Sequence, residues 1–165
     1  MQVTFKGTPM TLVGQPLKPG EQMPSFTLCG PELEKVESKT LTGPSVFLSV
    51  PSLDTGVCDA QVRRFNQAAA EFTGVTVYAV SMDLPFAQAR WCGAAGVERV
   101  RVLSDFRERE FGKATGTLIK ELGLLTRAVF VVDGQGKLTH VEYVGEVAQH
   151  PDYDAVLAAI HALQG

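Results

Sequence analysis

The spacing of apolar and polar positions at the start of the chain predicts a β-hairpin followed by short, partly exposed strands. Polar and apolar residues alternate over Gln2–Lys6, Gly7-Thr8-Pro9 forms a turn, and Met10–Val13 runs back. A Pro/Gly-rich connection leads to a short strand at Ser25–Cys29. The charged segment Pro31–Lys39 predicts a surface turn and an edge segment.

The middle of the chain alternates strands with helices. Ser45–Val50 is a nearly continuous apolar run, which is typical of a strand buried on both faces. Apolar residues then recur at helical spacing, so that they share one face of a helix. The elements predicted in this part are a helix at Val57–Phe72, a strand at Val75–Met82, a helix at Pro85–Ala95, a strand at Val100–Leu103 and a helix at Asp105–Lys113.

The last third of the chain predicts a second hairpin and a closing helix. Arg127–Asp133 and Lys137–Val144 are strands joined through Gly134-Gln135-Gly136, and Pro151–Leu163 keeps helical spacing. Alternating strands and helices, followed by a hairpin and a helix, indicate an α/β fold with a mixed central sheet flanked by helices. We expect one domain over residues 1–165 with thioredoxin-like topology, to which the N-terminal hairpin is an addition.

Composition and charge narrow the class of protein. The chain is 45% apolar and 20% charged, as is usual for a globular protein, and its net charge is only -3. No basic patch indicates a nucleic-acid partner. No apolar run approaches the roughly 20 residues that span a bilayer, and the start lacks the pattern of a signal peptide. The sequence therefore predicts a cytoplasmic protein that binds neither nucleic acid nor membrane.

The three cysteines, Cys29, Cys58 and Cys92, point to redox or catalytic chemistry. An odd, low number of cysteines does not suggest a structural disulfide framework in an intracellular chain. No two of them have the short C-x₂₋₄-C spacing of a zinc site, and the histidines lie together near the C-terminus. We expect no metal site.

Cys58 follows a predicted buried strand at the point where a helix begins. Sites in open α/β sheets form at the carboxyl ends of strands. In the first turn of a helix, a cysteine faces unpaired backbone N–H groups and the positive end of the helix dipole, which both favour the thiolate. Free cysteines are also often buried for structural reasons. Position alone leaves a reactive and a structural interpretation of Cys58 open.

The residues around Cys58 favour the reactive interpretation. Pro51, Thr55 and Cys58 form the pattern P-x-x-x-T-x-x-C, which resembles the active-site signature of peroxiredoxins. Further matching segments occur in the same order along nearly the whole chain: Asp83-Leu84-Pro85-Phe86-Ala87-Gln88-Ala89-Arg90-Trp91-Cys92-Gly93, Leu103-Ser104-Asp105-Phe106-Arg107 and Arg127-Ala128-Val129-Phe130-Val131-Val132-Asp133. The chain is similar to the bacterial thiol peroxidase group of the atypical 2-Cys peroxiredoxins.

That resemblance implies a role for each residue of the motif. Cys58 would attack the peroxide O–O bond and become a sulfenic acid. Thr55 would supply a hydroxyl near the sulfur, and Arg127 would hold its guanidinium against the thiolate and the peroxide oxygens. Pro51 would shape the loop and keep water from the sulfur. Taken singly, Thr55 is also suited to cap the helix, and Arg127 to be a surface cation.

The resemblance also implies that Cys92 resolves the sulfenic acid by forming a disulfide with Cys58 in the same chain. A disulfide needs Cα atoms within about 7 Å, so the helix that carries Cys92 must be able to open. Gly93 and Gly96 weaken that helix at its end. The alternative is that Cys92 is a core residue. Cys29 lies outside every motif, and we expect it to be a packing residue.

The expected activity is reduction of hydrogen peroxide and organic hydroperoxides in antioxidant defence. By the resemblance, the enzyme is a homodimer, a thioredoxin-like protein reduces its disulfide, and no metal, haem or flavin is needed. Two other functions use the same residues. A general disulfide oxidoreductase is disfavoured because there is no C-x-x-C motif. A redox sensor would use the disulfide as a conformational switch.

Overall fold

A computed structural model describes residues 2–164, and its strands and helices follow the predicted order. The strands are β1 (Gln2–Phe5), β2 (Thr8–Val13), β3 (Thr27–Cys29), β4 (Lys35–Glu37), β5 (Ser45–Ser49), β6 (Thr76–Ser81), β7 (Val100–Ser104), β8 (Leu118–Ile119), β9 (Ala128–Val132) and β10 (Leu138–Tyr143). The helices are α1 (Gly56–Ala68), α2 (Pro85–Ala95), α3 (Glu110–Thr115) and α4 (Tyr153–Gln164).

A seven-stranded mixed sheet forms the centre of the molecule, in the strand order β10-β9-β5-β6-β7-β3-β4. Strands β5, β6 and β7 are parallel and are connected through α1 and α2, whereas β9 and β10 are antiparallel to their neighbours. Every residue of β5 and β9 is buried, because both strands lie in the interior of the sheet. The predicted α/β fold with a mixed sheet is confirmed.

Alternate residues of the central strands face two separate cores. Val46 and Leu48 of β5 pack with α1, α2 and α4 on one face of the sheet, and Phe47 packs with Phe111 of α3 on the other. In α1, Val62 and Phe65 are almost wholly buried. Burial of such a side chain stabilises the fold by roughly 1.5–3 kcal/mol, which fixes the face of α1 that carries the site.

The N-terminal hairpin is confirmed, but its predicted turn at residues 7–9 is wrong. Phe5 pairs directly with Thr8, so the turn is Lys6-Gly7 and Pro9 belongs to β2. Both turn residues have positive φ, 51° and 83°, as a two-residue turn that matches the strand twist requires. The hairpin also pairs with β8, a two-residue strand that the apolar pattern did not reveal.

The predicted helix at Asp105–Lys113 begins later than expected. Arg109, with φ 57°, breaks the helical path, and α3 starts at Glu110. The Asp105 side chain accepts hydrogen bonds from the backbone N–H groups of Phe111 and Gly112 at 3.1 and 2.8 Å. Asp105 therefore caps the helix from outside it, as aspartate often does.

Other boundaries agree to within a few residues. Helix α1 ends at Ala68 and continues as a short 3₁₀ turn, Ala69–Glu71, and α4 begins at Tyr153 rather than at the predicted Pro151. Helix α2 has the predicted bounds, because Pro85 occupies its first turn and Gly96 ends it in the left-handed conformation. No helix among residues 2–164 is both long and apolar enough to cross a bilayer.

Candidate active site

Cys58 lies in the first turn of α1, just beyond the carboxyl end of β5. Its side chain is wholly inaccessible to solvent. The loop that leads into the helix is fixed by Asp83, whose carboxylate accepts hydrogen bonds from the Ser52 hydroxyl at 2.7 Å and the Leu53 N–H at 2.8 Å. The predicted placement of Cys58 at the end of a strand and the start of a helix is confirmed.

Arg127 contacts Cys58 directly. Its Nη2 atom donates a hydrogen bond to Sγ of Cys58 at 3.0 Å. Arg127 comes just before β9, and Ala128 pairs with Ser49 at the end of β5, so strand register brings the arginine beside the start of α1. The Arg127 side chain is only 1% exposed. The alternative that Arg127 is a surface cation is therefore wrong.

Two further N–H groups of Arg127 bind neutral acceptors. Nε donates to the carbonyl of Val147 at 2.9 Å, and Nη1 donates to Oε1 of the buried Gln61 at 2.6 Å. Within residues 2–164, no carboxylate forms an ion pair with this guanidinium. A buried cation without a counter-charge is costly, so the arrangement favours a negative charge on the sulfur of Cys58.

A cavity of about 250 Å³ opens beside the Cys58–Arg127 pair. Its walls are largely apolar and come from the N-terminal hairpin, the loop before α1 and the segment after β10. The residues that line it are Phe5, Lys6, Pro51, Thr55, Gly56, Val57, Arg127, Val147 and Ala148. Pro51 is buried, and Arg127, whose guanidinium contacts the sulfur, also lines the cavity. A small apolar molecule with a polar end fits these walls.

Thr55 is the residue that precedes α1, and it lines the same cavity. Its hydroxyl donates to the carbonyl of Ser52 at 3.0 Å and makes no capping bond to the helix. The alternative that the Thr55 side chain caps α1 is therefore wrong. A hydroxyl that donates to a carbonyl keeps its lone pairs free to accept a hydrogen bond from a molecule in the cavity.

Cys92 lies in the last turn of α2 and is half-buried. Burial raises the pKa of its thiol. It lines a second cavity, of about 230 Å³, together with residues of α2, β7 and the segment after β3, including Ala89, Arg101 and Pro31. Cys58 does not line this second cavity, and all three cysteines are free thiols. The structure does not bring Cys92 into the site around Cys58.

The two ends of α2 are held in different ways. The buried Gln88 donates to the Ser81 hydroxyl and to the Leu103 carbonyl at 3.0 and 2.9 Å, which anchors the first half to the sheet. The second half is held by partly exposed contacts, above all the 2.8 Å bond from Trp91 Nε1 to Asp59. Exposed contacts open at lower cost, so the Cys92 end is the weaker one.

Cys29 is almost fully buried and pairs with Ser104 across the sheet. This placement agrees with the expected packing role. Among residues 2–164, no three histidine, cysteine or acidic side chains are grouped so that they could hold a metal ion.

Several residues around the site were not predicted from the sequence. Gln61 lies three positions after Cys58, and residues at that spacing share a helix face. The sequence could therefore have indicated that Gln61 lies beside Cys58. Val147 contributes a backbone carbonyl, which no side-chain pattern reveals. Phe5 and Lys6 lie at the cavity because the neighbouring Thr4 forms backbone hydrogen bonds with Gly145 and Val147. Such a contact between distant segments leaves no recognisable pattern in the sequence.

The chain is similar to known proteins of one family. A family model described as Redoxin matches residues 18–157. The chain is 54% identical to a thiol peroxidase of Clostridium acetobutylicum and 53% identical to one of Bacillus subtilis, and each alignment covers at least 98% of both chains. A peroxiredoxin-like protein from Aquifex aeolicus has a solved structure that superimposes with a TM-score of 0.90 at 39% identity, covering 98% of this chain and 96% of that one.

Proposed function

The chain belongs to the redoxin family and is a thiol-dependent peroxidase, and on this premise we propose that Cys58 is the residue that attacks the peroxide. The observation that carries the proposal is the 3.0 Å contact between Cys58 and the buried guanidinium of Arg127. This contact favours the thiolate, which is the nucleophilic form of cysteine. The predicted thioredoxin-like fold and peroxidase activity are confirmed.

The first step converts the thiolate to a sulfenic acid. The sulfur of Cys58 attacks one oxygen of the hydroperoxide, the O–O bond breaks, and the departing oxygen takes up a proton. The products are the Cys58 sulfenic acid and water, or an alcohol when the substrate is an organic hydroperoxide. The apolar walls and the 250 Å³ volume of the adjoining cavity support both kinds of substrate.

A high thiolate fraction is not enough for a fast reaction. For any thiol, lowering the pKa from about 8.5 to about 6 raises the thiolate fraction at pH 7 roughly 30-fold. A thiolate of lower pKa is also a weaker nucleophile, and with a Brønsted slope of about 0.4–0.5 its reactivity falls roughly 10-fold. The net gain in rate is therefore only a few-fold. The main acceleration comes from positioning of the peroxide and stabilisation of charge on the breaking O–O bond.

Three residues provide this stabilisation in the proposed mechanism. Arg127 holds the sulfur and the peroxide oxygens together, and Thr55 accepts a hydrogen bond from the peroxide. Pro51 closes the buried side of the loop and limits the access of water to the sulfur. The positions of all three in the walls of one cavity support these roles.

Cys92 is the proposed resolving residue. Its sulfur attacks the sulfur of the Cys58 sulfenic acid, an S–S bond forms within the chain, and water is released. Because both cysteines are free thiols and Cys92 lines a cavity that Cys58 does not, the last turn of α2 must open before the two sulfurs meet. Opening also exposes Cys92 to water, which removes the burial that raises the pKa of its thiol and so favours its reactive thiolate.

A thioredoxin-like dithiol then reduces the disulfide and returns both cysteines to thiols. The proposed cycle moves electrons only through sulfur and uses no metal, haem or flavin. We place the enzyme in the cytoplasm as one domain over residues 1–165 that assembles as a homodimer, and its role is antioxidant defence.

Peroxide consumption by the wild type, Cys58→Ser and Cys92→Ser with a thioredoxin system tests the proposal. Cys58→Ser should lose all reaction with peroxide. Cys92→Ser should consume one equivalent and then stop, because its sulfenic acid is not converted to the recyclable disulfide. Full turnover by Cys58→Ser would contradict the proposal.

Stoichiometric oxidation of the wild type without turnover would favour a redox sensor, and reduction of insulin would favour a general disulfide oxidoreductase.

A further inference from the structure

Glu146 binds two separate segments of the chain at the edge of the active-site cavity. Its Oε1 atom accepts hydrogen bonds from the Thr4 hydroxyl at 3.0 Å and the Gly7 N–H at 2.9 Å. Its Oε2 atom accepts from the Ala148 N–H at 2.7 Å and the Lys6 N–H at 3.1 Å. These backbone donors, that of Ala148 above all, lower the pKa of Glu146 to about 2, so the carboxylate stays charged at neutral pH.

The turn of the N-terminal hairpin is held in a conformation that costs energy. Lys6 has φ 51°, in the left-handed region that residues with a side chain avoid at a cost of roughly 1–2 kcal/mol. The N–H groups of Lys6 and Gly7 both point at the Glu146 carboxylate. Charge-assisted hydrogen bonds of this kind offset the cost and fix the position of the turn.

Both segments bound by Glu146 belong to the walls of the cavity. Phe5 and Lys6 line it from the hairpin, and Val147 and Ala148 line it from the segment that follows Glu146. The Val147 carbonyl also accepts the bond from Nε of Arg127 at 2.9 Å. Backbone hydrogen bonds between Thr4 and the residues on either side of Glu146 join the two segments, and the carboxylate adds the contacts that fix the turn at Lys6 and Gly7.

We propose that Glu146 is a positioning residue that determines how well the enzyme accepts bulky hydroperoxides, by holding the hairpin turn against the cavity. The inference rests on the proposed attack by Cys58. Hydrogen peroxide needs only the polar groups near the sulfur, such as Arg127 and Thr55. The organic part of a larger hydroperoxide needs apolar surface as well, and Phe5 supplies part of it only when the turn is in place.

The test compares kcat/KM for cumene hydroperoxide and for hydrogen peroxide in Glu146→Ala. We expect the ratio of the two values to fall on the order of 10-fold, as is usual when an apolar pocket loses part of a wall. Glu146→Gln keeps one acceptor oxygen and should shift the ratio in the same direction by a smaller factor. A simple loss of folded protein would lower both activities and leave the ratio unchanged.

Glu121 lies just after β8 and provides a matched control, because its carboxylate binds the same hairpin. Its carboxylate accepts a hydrogen bond from the Thr11 N–H at 2.8 Å, and it does not line the cavity. Glu121→Ala should leave the ratio unchanged. An unchanged ratio in both Glu146 variants, or an equal shift in Glu121→Ala, would overturn the inference. Failure of the wild type to reduce cumene hydroperoxide would overturn the proposed substrate range as well.

Discussion

Nη2 of Arg127 donates a hydrogen bond to Sγ of Cys58 at 3.0 Å, and both side chains are buried. The guanidinium has two other partners, the Gln61 amide oxygen and the Val147 carbonyl, and both are neutral. The sulfur is thus the contact atom best able to balance the buried positive charge. In the proposed mechanism, this pairing lets Arg127 stabilise both the negative charge on the sulfur and the charge that develops during peroxide cleavage.

Arg127→Ala should slow the reaction with peroxide far more than it changes the thiolate fraction. Loss of one donor that stabilises developing charge typically costs about 10²–10³-fold in rate. Stopped-flow kinetics measures the rate, and a thiol titration measures the thiolate fraction. Arg64→Ala is the control, because Arg64 is an exposed cation of α1 that lies over the Tyr153 ring at 4.3 Å. Equal losses in rate and thiolate fraction would contradict the role in peroxide cleavage.

The sequence predicted those features of the site that depend on residues close together in the chain. Helix α2 has its predicted bounds because proline and glycine mark its two ends. Cys58 lies where predicted because an apolar strand is followed, after a short loop, by an amphipathic helix. Arg127 was assigned from the motif, and the side-by-side pairing of β5 and β9 explains why it reaches Cys58.

The parts that the sequence missed depend on contacts between distant segments. Strand β8 has only two residues, and it exists because Leu12 and Val13 pair with it. The late start of α3 follows from the side chain of Asp105, which lies five positions before the helix. The cavity wall at Phe5 likewise depends on how the hairpin folds back onto the segment after β10. Hydrophobic periodicity does not encode such contacts.

Peroxide should change the fluorescence of Trp91, and dithiothreitol should reverse the change. Trp91 donates to Asp59 at 2.8 Å and adjoins Cys92, so opening of the last turn of α2 alters its surroundings. It is the only tryptophan in the chain, so the signal has one source. Cys92→Ser is the control and should show no disulfide-linked change. An unchanged spectrum in the wild type, with no disulfide found by mass spectrometry, would count against Cys92 as the resolving residue.

Gly116→Ala should destabilise the fold more than Gly123→Ala. Both glycines have φ near 70°, so each substitution incurs the left-handed penalty of roughly 1–2 kcal/mol. A Cβ at Gly116 would also lie 2.6 Å from the backbone oxygen of Gln15, whereas a Cβ at Gly123 meets nothing within 4 Å. Urea unfolding measures the two free energies. Equal losses would show that the chain around Gln15 moves aside freely.

The stability of the wild type should depend on pH through Asp105. Burial raises the pKa of its carboxyl from 3.8 to about 6, against the opposing hydrogen bonds from Gly112 and Phe111. Between these two pKa values the folded protein binds more protons than the unfolded chain. The contribution of protonated Asp105 to stability is therefore full below about pH 4 and is lost as the pH rises through 6. The free energy of unfolding of the wild type relative to Asp105→Asn should therefore rise by up to about 3 kcal/mol between pH 7 and pH 4. Urea unfolding at several pH values measures this difference, and a difference that does not vary with pH would rule out Asp105 as the titrating group.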